Sequence, residues 1–398
     1  MKLNHWILIF ASAIALSSCT TFASQQSSTQ NPECVQRYDS VVDYFPNKVR
    51  LVEAKGFTVE YHKHYKVVTV NRPWKEAKTQ FRYVLVQCGT PTPPGFSDSQ
   101  VVQVPVRSLV ALSTTHLVPL QKLGVLDRLV GVSDFDSINT PAVVEKIKAK
   151  QLQQVGNVSS LNIEKILEIS PDLITTFGTG NPQRDAHPKL LEANLKVGIV
   201  AEYMESTPLG QAEWIKFLAL FFNREAEAER SFAKTIDQYR AIAAKAKAVS
   251  NKPIVFSGSN HKGIWYVPGG DSYVAKFFKD AGATYVWAGD RTTGSLPLNF
   301  EQVYDRAADA TYWLNASHGS GAKTLKSLTA MDDRYGKFAA VRLGNVFNPI
   351  AATNGKGGND YWESGVANPD VVLTDLVKIF HPQLVPDHQF VYYQQLPR

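Results

Sequence analysis

Leu161-Asn162-Ile163-Glu164-Lys165-Ile166 recurs, in kind, as Leu298-Asn299-Phe300-Glu301-Gln302-Val303. Eight residues after each Glu stands an Asp, Asp172 and Asp309, at the edge of a β-like run. In both copies Asn suits a helix N-cap and Glu the positive first turn of that helix. Each copy therefore predicts helix followed by strand. Around the first copy the same alternation continues: Val106 to Leu112 reads as a strand, His116 to Leu123 as a helix stopped by Gly124, and Leu129 to Val132 as a strand. Alternation of this kind predicts parallel sheets with helices packed on their faces, and the repeat predicts two such lobes.

Between the copies, Trp214, Phe217, Leu218 and Phe221 form a helical stripe begun by Ser206 and Pro208, resumed after Asn223 through Phe232, Ile236, Tyr239 and Ala243. Asn223 allows a break or kink. The expected fold class is α/β: two lobes with parallel sheets joined by a long backbone helix over 207–250, the lobes being 99–206 and 251–398. Residues 34–98 differ in texture. Phe57 to Tyr61, Tyr65 to Val70 and Phe81 to Gln87 alternate apolar and polar residues, predicting a small antiparallel β unit closed by Thr90-Pro91-Thr92-Pro93-Pro94-Gly95. His62 and His64 read as turn residues.

The chain has 398 residues, 44% hydrophobic and 20% charged, which excludes disorder as the dominant state. The net charge of +6 comes from scattered Lys and Arg, with no basic stripe, so no nucleic-acid partner is expected. At the front, Lys2 and the apolar run Trp6 to Leu16 read as a signal peptide over 1–18. Leu16-Ser17-Ser18-Cys19 resembles a bacterial lipobox, in which Cys19 receives lipid and 19–33 is a flexible tether; an ordinary secretory signal is the alternative. The expected location is the periplasmic side of the cell envelope, with the lipid anchor as the only membrane contact. Cys34 and Cys88 then remain as an even pair in an oxidising compartment, forming a disulfide or staying as two thiols.

For Glu164 and Glu301 the residues alone leave three readings: a catalytic carboxylate pair, a docking pair on equivalent surfaces, or helix capping. No GxSxG, HExxH or GxxxxGK[ST] occurs, and Ser320 lies in a glycine turn, so no enzyme is expected.

The run Val106 to His116, with Leu123 to Ser133, then Ser170-Pro171-Asp172-Leu173-Ile174, Phe278 to Ala283 and Phe300 to Val303, resembles the helical-backbone (class III) substrate-binding proteins of ABC importers. The resemblance covers about residues 101–392 and leaves 33–95 as an addition to the family's plan. It implies ligand held between two lobes joined by a stiff helix. It also implies Glu164 and Glu301 as docking points for the permease, which works with its ATPase, and a monomeric binding protein without a resident cofactor.

The resemblance leaves the ligand open. The loops after strands are expected to line the cleft: Ser113 to His116, Asp134-Phe135 and Gly178 to His187 in the first lobe, and Ser259 to Tyr266, Asp290 to Leu296 and Asn359 to Glu363 in the second. Candidate ligand contacts are His116, Arg184, Lys262, Trp265, Tyr266, Arg291, Tyr361 and Trp362. Aromatic planes beside cations suit a bulky anionic chelate, such as ferric citrate or a hydroxamate siderophore, with iron present only inside the chelate. Haem, cobalamin and a bare metal ion are the alternatives within this fold, and a surface interaction lipoprotein the alternative outside it. Gly355, Gly357 and Gly358 suggest a mobile cleft edge.

Overall fold

The computed structural model describes residues 33–96, 101–157, 160–316 and 321–398. The segment read as a signal peptide, Cys19 and all of the segment read as a tether except Glu33 lie outside them, as does Ser320. Among the described residues no helix is long and apolar enough to cross a membrane.

The N-terminal sheet comprises β1 (Phe57–Tyr61), β2 (Tyr65–Val70), β3 (Phe81–Gln87) and β4 (Val101–Val104) in the order β1-β2-β3-β4. The first three are antiparallel, but β4 joins β3 in parallel. The sheet therefore extends beyond residue 98, where the sequence placed the start of the first lobe. Cys34 and Cys88 are joined as a disulfide.

The first lobe is built on β5 (Leu109–Ala111), β6 (Leu129–Val132), β7 (Gln153–Gln154), β8 (Leu173–Thr176) and β9 (Val197–Ile199). They run parallel in the order β7-β6-β5-β8-β9. The second lobe holds β10 (Ile254–Ser257), an accessory antiparallel hairpin β11 (Ser259–His261) and β12 (Ile264–Pro268), then β13 (Thr284–Tyr285), β14 (Ser295–Leu298), β15 (Tyr312–Leu314), β16 (Val346–Asn348) and β17 (Gln394–Gln395). Its main sheet is β13-β10-β15-β16-β17, parallel except for β17, and β11-β12-β14 form a separate antiparallel sheet. Both main sheets reverse strand order in the middle, between β5 and β8 and between β10 and β15. In open α/β sheets ligand crevices form beyond the carboxyl ends at such points.

The connecting segment is divided rather than continuous. Helices Pro208–Glu213 and Ile215–Leu220 precede the long helix Glu225–Lys247. Thr207 caps the first, accepting from Gly210 N–H at 3.0 Å, and Pro208 fits its first turn. The break before Glu225 falls at Asn223, whose φ of 53° is left-handed, a region Asn tolerates better than most residues.

The N-terminal sheet is pinned to this connector by buried charge. Lys66 on β2, with no exposed surface, donates to Glu225 Oε1 at 2.8 Å, Leu220 O at 2.6 Å and Asn223 Oδ1 at 2.9 Å. Burial lowers the Lys66 pKa, opposed by Glu225. Glu213, also fully buried, accepts the backbone N–H of Glu53 and Ala54 at 2.7 Å each and the Lys216 ammonium at 2.9 Å. Phe57 and Tyr83 pack edgewise on Phe217, and Tyr83 on Phe221. The stripe read from the sequence as helix core thus buries itself partly against the added sheet.

Candidate functional site

A cleft of about 810 Å³ opens between the second lobe and the segment just after β9 at the end of the first lobe, a size suited to small-molecule sites. Its second-lobe wall draws on both main-sheet strands at the switch point. Ser257 ends β10 and Asn315 follows β15, with Asn315 Nδ2 donating to Ser257 Oγ at 3.0 Å. Around them stand His261, Tyr266 and Pro268 of the β11–β12 hairpin, Tyr273 of the helix Tyr273–Asp280, the turn Thr292 to Ser295, and Asn359 and Trp362. The opposite wall is Tyr203, Met204 and Glu205, just after β9, together with Lys75 from the β2–β3 loop.

Three aromatic side chains left substantially exposed converge here: Tyr203, Tyr266 and Trp362, at 42%, 40% and 48%. Exposing such area is unfavourable unless something covers it. Burial pushes the Tyr203 hydroxyl up to about 12, so it stays neutral, donating to Gly178 O at 2.6 Å. The formal charges of the lining are few. Glu205 is engaged, its Oε1 accepting from Lys55 N–H, Gly56 N–H and Trp214 Nε1 at 2.8–3.0 Å. Among the described residues, Lys75 is the single Lys or Arg in the lining.

All three second-lobe loops expected at the cleft reach it, but the individual residues divide. Tyr266 and Trp362 line it. Tyr361, 6% exposed, packs under Trp362 against Tyr392 and Tyr393. Trp265 has no exposed surface and lies among Phe256, Phe300 and Trp313, because neighbours on a strand point to opposite faces. Lys262 sits at the exposed hairpin tip, and the largely exposed Arg291 approaches Asp271 at 3.6 Å on a neighbouring depression. Arg184 is exposed outside the lining. The cationic corner expected from sequence is therefore not assembled.

His116 is also placed elsewhere. It is buried, bonded through Nδ1 to Thr175 Oγ1 at 3.0 Å, and beside a small cavity that Glu202 also lines. Burial drives the His116 pKa down to about 3 and raises that of Glu202. Asp134-Phe135 likewise stay outside the cleft, turned in on Ser137 and Gln154. The glycine-rich stretch is tied down rather than free: Asn354 Nδ2 donates to Asp136 O at 2.8 Å and Lys356 pairs with Asp136 at 3.0 Å.

Tyr203, Met204, Tyr273, Ser257, Asn315 and Lys75 are cleft residues the sequence reading missed. Tyr203 and Ser257 close or follow strands, so the strand-end rule reaches them; nothing in the sequence marks Lys75.

Glu164 and Glu301 occupy equivalent first turns, of helices Ile163–Ile169 and Phe300–Ala307, and both are exposed. Asn162 and Asn299 cap these helices, accepting from Lys165 and Gln302 N–H. Glu301 also approaches Arg334 at 3.4 Å. Among the described residues no group of three or more His, Cys, Asp or Glu is placed to hold a metal ion.

Comparison with known proteins bears on this arrangement directly. Residues 109–348 match the family described as periplasmic binding protein. An uncharacterized lipoprotein of Methanocaldococcus jannaschii is 31% identical over 71% of this chain and 67% of its own. A vitamin B12-binding protein of Vibrio campbellii is 24% identical over 54% of this chain and 74% of its own. Among solved structures, a possible iron-binding periplasmic solute-binding protein from Staphylococcus epidermidis superimposes with a TM-score of 0.53 at 18% identity, covering 69% of this chain and 98% of that one. With two parallel-sheet lobes, a helical connector and a cleft at the switch point, the chain belongs to the periplasmic binding protein family, in its helical-backbone class.

Proposed function

We propose that the protein is the substrate-binding component of an ABC importer, capturing a bulky metal chelate of low net charge and presenting it to a permease. The carrying observation is the cleft itself: three exposed aromatic rings around a volume of about 810 Å³ with, among the described residues, one formal cation in its lining. Ferric citrate, strongly anionic, finds few partners there. A ferric trihydroxamate, whose three negative groups offset the charge of Fe(III), fits a wall of rings, hydroxyls and amides. A corrinoid is the second reading, favoured by the sequence relation to the B12-binding protein. Iron or cobalt enters only inside the chelate.

Glu164 and Glu301, matched in place on two capped helices, are the proposed contacts for permease arginines. Lipidation at Cys19 would hold a monomer at the membrane surface. The test is tryptophan-fluorescence titration of the mature protein against ferric trihydroxamates, cobalamin, haem and ferric citrate. Trp362 in the cleft wall makes binding visible. Saturable quenching by a low-charge chelate is expected; binding of ferric citrate alone, or silence throughout, would overturn the reading. Glu164→Ala and Glu301→Ala should keep that affinity and lose uptake.

A further inference from the structure

The β2–β3 connection is much longer than its strands require. Val70 and Phe81 face each other as register partners, and a hairpin at that separation closes with about two residues. Asn71 to Gln80 instead runs out from the sheet and across to the first lobe. Ordering so much surplus chain costs conformational entropy, so something must hold it and use it.

What holds it is specific. Trp74 stacks on His187 with ring centroids 5.4 Å apart, and Phe81 meets both rings edge-on. The indole lies against Gly178 and Gly180, where an added Cβ would fall 2.7 Å from its atoms. Gly178 has no positive φ, so the approach of Trp74, rather than the backbone, accounts for glycine there. Tyr203, itself a cleft residue, donates to Gly178 O at 2.6 Å and approaches Pro73 O at 3.4 Å. The loop is thereby docked on the turn that follows β8, at the carboxyl end of the first sheet.

The next residue after that anchor is Lys75, the single Lys or Arg of the cleft lining among the described residues. Its nearest carboxylate, Glu76, is 3.9 Å away with both side chains more than 80% exposed, a weak pair that leaves the ammonium available.

We propose that this loop is a ligand-recognition element, a part of the first-lobe wall supplied by the N-terminal sheet, and that Lys75 receives a single anionic group, carboxylate or phosphate, on an otherwise low-charge chelate. The inference rests on the chelate-binding reading above and adds to it the group that selects among chelates.

The experiment compares wild type, Lys75→Ala and Trp74→Ala in calorimetric titrations. One ligand pair is a ferric trihydroxamate carrying one free carboxylate and its methyl ester; the other is cobalamin and cobinamide, the second of which lacks the nucleotide and with it the phosphodiester anion. Lys75→Ala should weaken binding of the anion-bearing member of the preferred pair about tenfold, as for loss of one charge-assisted hydrogen bond, and leave the member without that anion unchanged. The carboxylate and phosphate arms identify which group is read. Trp74→Ala should weaken both members, because it frees the loop. Lys75 is exposed, so its variant should melt like wild type. Wild-type binding with equal losses for both members, or no loss, in Lys75→Ala would overturn this inference alone. Wild-type silence toward both pairs would overturn it together with the function it rests on.

Discussion

The two walls of the cleft are built in opposite ways. The second lobe makes its wall locally: the β11–β12 hairpin pairs with β14 of the same lobe and presents Tyr266 beside the ends of β10 and β15. The first lobe supplies Tyr203, Met204 and Glu205 just after β9 and borrows Lys75, on the loop anchored by Trp74, from a sheet that precedes it in sequence. A local wall is as stable as its own lobe. A borrowed one depends on whatever fixes the donor sheet, here the buried Lys66–Glu225 and Lys216–Glu213 pairs on the connector. This predicts different sensitivities for the two sides.

The largest effect should come from breaking the donor's attachment. Lys66→Ala leaves Glu225, itself 3% exposed, without its buried cation. The expected cost is about 3–5 kcal/mol in urea unfolding. Proteolysis should then cut the N-terminal sheet before the second lobe; simultaneous loss of both would mean the two walls are not independent.

A smaller effect is expected where the walls are held in register. Glu363, 1% exposed and next to Trp362, reaches across to the first lobe. Its carboxylate accepts from Thr140 N–H at 2.8 Å, Asn139 N–H at 2.7 Å and the Thr140 hydroxyl, at the positive end of helix Pro141–Lys148. Glu363→Gln turns an NH₂ toward donors and should cost about 1.5–3 kcal/mol, with a weaker chelate affinity than wild type. Unchanged urea midpoints would show that the lobes need no such latch.

The smallest effect is a pH dependence on the first-lobe side. His116 is neutral when buried, with a pKa near 3 against the ordinary 6.5. The unfolded chain therefore takes up the proton first as pH falls through 6.5, and stability present at pH 7 is lost toward pH 5. Glu202, raised by burial, acts oppositely, its cost growing as pH rises past 4.5. His116→Gln should remove about 1–2 kcal/mol of the pH 7 to pH 5 loss. An unaltered slope of melting temperature against pH would contradict the assignment.

The lobes were legible because their signals are local. Asn162 and Asn299 cap where the repeat said they would, Leu129–Val132 is the strand as read, and Asn223 marks the break in the connector. The parallel pairing of β4 was not legible, since pairing partners are non-local and Val101 to Val104 suits either sheet. Within the site, aromatic and charged residues at strand ends were visible, but not which face each takes. One step along β12 separates Trp265, in the core, from Tyr266, in the cleft. Lys75 had no signal, because only the docking of Trp74 on Gly178 brings it to the first lobe.

Calorimetric titration of the Tyr266→Ala, Trp362→Ala double variant with the chelate that wild type binds most tightly tests the placement of the ligand between these walls. Removing two converging rings from a binding site should raise Kd at least about tenfold while the melting temperature stays near that of wild type. An unchanged Kd would place the ligand elsewhere and contradict the account.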